Sequence, residues 1–356
     1  MPCLSTDRVF IMREERISIM VYDNIEFFDI AELKNNENGG KSLLRFPFKT
    51  IEKMHSEYSA SCCKGCEIRF VSDSKKLELE ISSDDDSVAK VMIYRGDYYI
   101  KTCFLKAKER TVIELEEPER FSWVEKSALV RKRFSTDVWR IIFDTGLLSF
   151  YSLNAFGGSV RPPKADEVPS KKWIAYGSSI TYGESAFLST SSYIQQAAYR
   201  LNVDVLNKAC SGACAVENVT ADYFSKEDWD FITLEIGVNM RNVITPEEFK
   251  NRTIYMVDKL KETHPDKKIF VITILPNNSI RAISPNEYTK DHIEFNKILT
   301  QLCDTRYKDS NVVMIKGETL LPDFRGLTAD LIHPSDYGHI MIGEKLSEIL
   351  KENGVV

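Results

Sequence analysis

Four short segments in the second half of the chain hold residue types that can do chemistry together. They are Gly177-Ser178-Ser179-Ile180-Thr181, Asn207-Lys208-Ala209-Cys210-Ser211-Gly212, Gly237-Val238-Asn239 and Asp330-Leu331-Ile332-His333-Pro334. A serine on a tight turn after a strand exposes its Oγ, and the N–H groups of a following helix can point toward it. Ser-Ser-Ile-Thr equally suits an ordinary turn with a helix cap. Gly212 lets backbone approach a ligand closely, although a turn glycine needs no such reason. The amide of Asn239 can donate to a developing oxyanion, or simply close a turn. An aspartate three residues ahead of a histidine can bind one ring nitrogen, fix the tautomer and leave the other nitrogen as a base. His333 is one of five histidines. His339 lies on the expected last helix with Asp336 one turn away, and reads as a helix-surface residue. His55, His264 and His292 follow no comparable strand end.

Elements must position these segments, and the two halves of the chain differ in pattern. Up to about residue 160, short β-branched or aromatic runs predict strands at 8–11, 17–21, 42–47, 66–71, 76–81, 88–94, 111–115 and 137–143. Leu77, Leu79 and Ile81 alternate with Lys76, Glu78 and Glu80, the period of a half-buried strand. Turn clusters at 35–40 and 82–87 separate the runs. Many short antiparallel strands predict a β-sandwich or jelly roll over 1–156. Residues 157–172, with Gly157, Gly158, Pro162, Pro163 and Pro169, read as a linker.

From 173 to 356, strands alternate with helices. Strands are expected at 173–177, 204–207, 230–236, 268–275 and 311–315, and helices at 191–201, from Thr245, at 286–303 and at 337–351. Thr245 as N-cap, Pro246 at the first helical position and Glu248 as the partner of a capping box mark one helix start. This alternation predicts right-handed βαβ units and a parallel sheet covered by helices on both faces. Ligands in such sheets bind beyond the carboxyl ends of the strands. The first three chemical segments fall at such ends; the fourth precedes the last helix.

Bulk properties narrow the function classes. The chain has 356 residues, 43% hydrophobic and 28% charged, enough for two cores without disulfides or a structural metal. A net charge of −6 with no long basic run argues against nucleic-acid binding. The N-terminus has no signal-peptide pattern and no apolar run spans a bilayer, so a cytoplasmic protein without membrane attachment is expected. The eight cysteines then read as reduced thiols. His55, Cys62, Cys63 and Cys66 have poor spacing for zinc and no second cysteine pair follows.

Taken together, the four segments resemble the SGNH (GDSL-like) hydrolase family over roughly residues 173–352. The resemblance implies a flavodoxin-like α/β/α domain. It assigns Ser179 as nucleophile, His333 as general base and Asp330 as its orienting acid. The oxyanion donors are the N–H groups of Ser179 and Gly212 and the amide of Asn239. Ser178 stands where many members have Asp, and so does Met240; only position in the motif favours Ser179 over Ser178. An amino-terminal sandwich is also similar to some carbohydrate acetyl esterases and acyltransferase-like members. The expected activity is cofactor-free, metal-free hydrolysis of a short acyl ester of a small molecule or sugar. Transfer of the acyl group to an alcohol or amine uses the same constellation. An inactive glycan- or protein-binding module is the reading from another class. An oligomer is compatible with all three.

Overall fold

The computed structural model describes residues 20–129 and 133–356. The strand expected at 8–11, Cys3 and most of the strand expected at 17–21 lie outside them. The chain divides into two compact units. One holds the described residues up to Arg45 together with Cys63–Pro169; the other holds Phe46–Cys62 and Ser170–Val356.

The first unit is an antiparallel β-sandwich. Its strands are β1 (Met20–Tyr22), β2 (Ile25–Phe28), β3 (Glu32–Asn35), β4 (Lys41–Leu44), β5 (Glu67–Ser72), β6 (Lys76–Ser83), β7 (Ala89–Arg95), β8 (Tyr98–Leu105), β9 (Arg110–Glu116), β10 (Val138–Phe143), β11 (Leu148–Asn154) and β12 (Val160–Arg161). One sheet runs β1-β2-β5-β10-β7-β8, with β12 on β5; the other runs β3-β4-β11-β6-β9. The alternation in β6 is obeyed: Leu77, Leu79 and Ile81 are fully buried. Burial of such faces between two sheets makes the core. Strands β2, β3, β8 and β11 were not expected; in β3 and β8 charged and exposed residues interrupt the apolar pattern. Asp23 and Asn24 join β1 to β2 with positive φ at both positions, the geometry of a two-residue hairpin. Within 157–172, Val160–Arg161 pairs with β5, and Arg161 grips Glu167 at 2.7 Å through two nitrogens.

The second unit is a parallel α/β domain. Its short helices α1 (Phe48–Ile51) and α2 (Glu57–Ser61) come from the early part of the chain. Then follow β13 (Lys172–Gly177), α3 (Ser179–Tyr182), α4 (Tyr193–Leu201), β14 (Asp204–Asn207), α5 (Asn218–Phe224), β15 (Phe231–Glu235), α6 (Pro246–Thr263), β16 (Lys268–Ile272), α7 (Glu287–Asp304), β17 (Val312–Ile315), α8 (Gly317–Leu320) and α9 (Asp336–Glu352). The sheet order β14-β13-β15-β16-β17 is flavodoxin-like. Strand β15 is buried along its whole length, as a parallel strand covered on both faces must be. Helix α4 packs on α9, while α5, α6 and α7 form a second row. Thr245 caps α6 by accepting from Glu248 N–H at 3.2 Å. The Glu248 carboxylate turns instead to Arg252, one turn along, so the expected reciprocal half of that box is missing. No helix among the described residues is long and apolar enough to cross a membrane.

Candidate active site

Parallel pairing sets the strand ends level. Gly177, the last residue of β13, lies opposite Glu235, the last residue of β15. The chain order reverses between these strands, and the crevice so formed is where open α/β sheets bind ligands. Immediately after Gly177 the backbone turns into α3. A Cβ at Gly177 would lie 2.2 Å from Thr181 Oγ1, so only glycine permits this tight turn.

The turn gives its two serines different surroundings. Ser178 is fully buried; its hydroxyl donates to Glu235 Oε2 at 2.6 Å and accepts from Ile180 N–H at 3.2 Å as the helix cap. The Ser179 hydroxyl faces the other way, 2.8 Å from His333 Nε2. His333 Nδ1 lies 2.6 Å from Asp330 Oδ2. An ionised carboxylate can only accept, so Nδ1 carries the proton and Nε2 presents its lone pair to Ser179.

Asp330 is held firmly. Its Oδ1 accepts from Thr328 Oγ1 and from the N–H groups of Ile332 and His333, at 2.8–2.9 Å. Burial opposes its charge, but these bonds and the His333 side chain outweigh that, keeping the carboxyl well below the usual carboxylate range. Leu331, between them, adopts a left-handed φ of 57°, unusual for a bulky residue. Hydrogen bonds hold it there: Leu331 N–H donates to Thr328 O, and its carbonyl accepts from Asn278 N–H.

The loop that continues from Gly212 meets the Asn239 segment. Cys214 N–H donates to Asn239 Oδ1 at 3.3 Å. A backbone N–H must face an oxygen, which fixes the amide orientation and leaves Nδ2 free to donate. Gly212, at φ 68°, is tied into the same loop, which returns to β13 through Cys210 N–H on Gly177 O. Among the described residues no acceptor takes the N–H of Gly212 or of Ser179. Gly212 makes no hydrogen bond to the other site residues. Three donors without acceptors therefore accompany one hydroxyl–imidazole–carboxylate relay, an arrangement able to generate a nucleophile and stabilise an oxyanion. Among the described residues no group of His, Cys, Asp and Glu side chains is placed to hold a metal ion.

Residues 175–340 match the sequence profile of the GDSL-like lipase/acylhydrolase family. The α/β unit carries a GDSL-like hydrolase domain. That family is one of lipases and acylhydrolases. The resemblance drawn from the four segments is thus borne out, and so is the expected pairing of an α/β domain with a β-sandwich. No curated protein matches the sequence. Similar solved structures include a salicylyl-acyltransferase from a tetracycline biosynthetic pathway, at 16% identity and TM-score 0.75, covering 95% of this chain and 98% of that one. A family two carbohydrate esterase from Cellvibrio japonicus is similar at 15% identity and TM-score 0.61, covering 93% and 95%. One from Clostridium thermocellum, in complex with cellohexaose, is similar at 16% identity and TM-score 0.58, covering 83% and 95%. At these identities the likeness is one of fold.

Beside the GDSL-like segments, two side chains went unread in the sequence and a third was misread. Glu235 is a lone acid at the end of an apolar run. Arg241, two residues after Asn239, is buried and donates to Asn277 Oδ1 and Ser279 Oγ, linking the loops after β15 and β16. Its charge, after burial itself, helps push His292 down to about 4. His339 corrects the surface reading: it is 0% exposed. Its Nδ1 accepts from Tyr193 N–H and its Nε2–H donates to Glu184 O, so it stitches α9 and α4 to the loop that follows the Ser178–Thr181 turn.

Proposed function

We propose that this chain is a serine-dependent acyl esterase that cleaves a short acyl group from a small molecule or sugar. The observation that carries the proposal is the unbroken relay from Ser179 Oγ through His333 to Asp330, at 2.8 and 2.6 Å.

Ser179 Oγ attacks the ester carbonyl while its proton passes to His333 Nε2. The N–H groups of Ser179 and Gly212 and the Asn239 amide receive the oxyanion. Asp330 stays ionised and balances the imidazolium. His333 then gives its proton to the leaving alkoxide, an acyl-enzyme forms on Ser179, and water activated by His333 releases the acid. Ser178 has no part in attack, because its hydroxyl is already committed to Glu235 and Ile180. Met240, 1% exposed, stands where many members of the family have Asp and supplies packing. The likeness to carbohydrate esterases supports a sugar ester as substrate. A second reading, transfer to an alcohol or amine, draws support from the acyltransferase likeness over 95% of the chain; the relay serves either acceptor.

Turnover of p-nitrophenyl acetate and of an acetylated oligosaccharide tests the proposal. Ser179→Ala is expected to lose about 10⁶-fold in kcat, and Asn239→Ala about 10²–10³-fold. Full activity in Ser179→Ala contradicts the assignment. Product partition with added alcohol or amine separates esterase from transferase.

A further inference from the structure

Glu235 ends β15 directly beneath the nucleophile turn, and no step above uses it. Its side chain is 1% exposed. One oxygen, Oε2, accepts from Ser178 N–H at 2.9 Å, from the Ser178 hydroxyl at 2.6 Å and from the Thr181 hydroxyl at 3.1 Å. Tyr193 OH lies 2.7 Å from Thr181 Oγ1, so Tyr193 can donate to Thr181 while Thr181 donates to Glu235. The other oxygen, Oε1, is buried and meets no partner among the described residues. Ser178 and Thr181 bracket Ser179. A single carboxyl oxygen therefore gathers the backbone and side chains on both sides of the nucleophile.

The groups around this carboxyl offer no counter-charge in contact. Tyr193 faces it from α4, Cys214 from the loop after β14 and Arg241 from the loop after β15. Only Arg241 is cationic, and its donors go to the carbonyl of Val238, Asn277 and Ser279. No ion pair reaches Glu235 among the described residues.

We propose that Glu235 is a positioning residue that works as a neutral acid, holding the Ser178–Thr181 turn so that the Ser179 hydroxyl and N–H keep their aim. The inference rests on the serine-esterase reading. Neutrality matters because a negative charge behind the turn would oppose the oxyanion that the same turn must stabilise. Burial raises the pKa of Glu235, and the bonds from Ser178 and Thr181 offset this only in part. With the proton on Oε1, Oε2 remains an acceptor for all three donors.

The test combines kinetics on p-nitrophenyl acetate with infrared spectroscopy at pH 7. Glu235→Ala removes the acceptor and is expected to lower kcat about 10²-fold, the size of one oxyanion donor, with KM within about threefold of wild type. Glu235→Gln keeps an uncharged acceptor oxygen and is expected to recover most of that loss. The wild-type minus Glu235→Gln difference spectrum should show a protonated carboxyl band. If Glu235→Ala does not fold by circular dichroism, Ser178→Ala with Thr181→Val removes the same hydroxyl bonds from the other side and should lower kcat about tenfold. Wild-type kcat in Glu235→Ala (or in that double variant), an ionised carboxylate band, or Glu235→Gln as impaired as Glu235→Ala would each overturn the inference. A wild type inert on every ester overturns the esterase reading and the inference with it; an active wild type beside an indifferent Glu235→Ala overturns the inference alone.

Discussion

Glu67 in the sandwich and Glu235 in the GDSL-like domain are equally buried, each 1% exposed, yet their surroundings push them in opposite directions. Glu67 is clamped by Arg140 through two nitrogens, at 2.8 and 2.5 Å, and by Arg69 Nε at 2.8 Å. The ring of Phe134 stacks on both guanidinium groups. Burial alone would raise the pKa of Glu67, but Arg140 and then Arg69 overcome it and bring the carboxyl down to about 2. Among the described residues Glu235 meets only hydroxyl and amide donors, and burial raises its pKa. Depth is the same in both residues; the partner decides the direction of the shift. In the sandwich the outcome is a fixed ion cluster at the centre of a sheet. In the α/β unit it is a carboxyl whose pKa is raised, held against the Ser178–Thr181 turn.

The largest effect that would sharpen this contrast is on stability. Glu67→Gln leaves two buried guanidinium groups short of a counter-charge and is expected to cost about 3–5 kcal/mol. The measurement is loss of hydrogen-exchange protection at the amides of β5 and β10. Glu235→Gln breaks no ion pair and should leave those amides unchanged. Equal losses in both variants would end the distinction.

Acid should come next. The stability that Glu67 contributes is complete above its ordinary value of 4.5 and disappears as pH falls toward about 2. Urea midpoints between pH 5 and pH 2 should therefore fall steeply in wild type and less in Glu67→Gln. Glu235 has the reverse sign. Its folded pKa is raised above the ordinary value of 4.5, so the folded form binds the proton more tightly than the unfolded chain. Stability should fall as pH rises above 4.5, by up to about 1.4 kcal/mol per pH unit. That slope should be absent in Glu235→Gln. The smallest effect is expected from Ser178→Ala, which removes one of three donors to Glu235 and a helix cap, about 1 kcal/mol in stability.

The two residues also show what a sequence hides. Alternation in β6 and the strand–helix rhythm after residue 173 follow from which faces meet water, and both are visible in a single chain. The chemical segments were visible because loops at strand ends carry residues with no packing reason to be there. Glu235 was not, since one acid in the run 231–236 looks like the strand's end; only its level with Gly177 across the sheet reveals what it holds. His339 was misplaced because Asp336, one turn away and itself exposed, marked a solvated face. The signal lay four residues on: a Cβ at Gly343 would lie 2.6 Å from Gln196 Cβ, so α9 and α4 touch along the face that buries His339. Residues Phe46–Cys62 carry no compositional mark of joining the α/β unit, although Ser59 Oγ donates to Ser211 O in the loop of Gly212.

The central claim is that Ser179, activated by His333, forms the covalent bond. Incubating the intact protein with a fluorophosphonate ester and mapping the adduct by peptide mass spectrometry tests it most directly. A single adduct on Ser179, absent in Ser179→Ala and strongly slowed in His333→Ala, is the predicted result. An adduct on Ser178, or labelling of Ser179 that proceeds at the wild-type rate without His333, would contradict it.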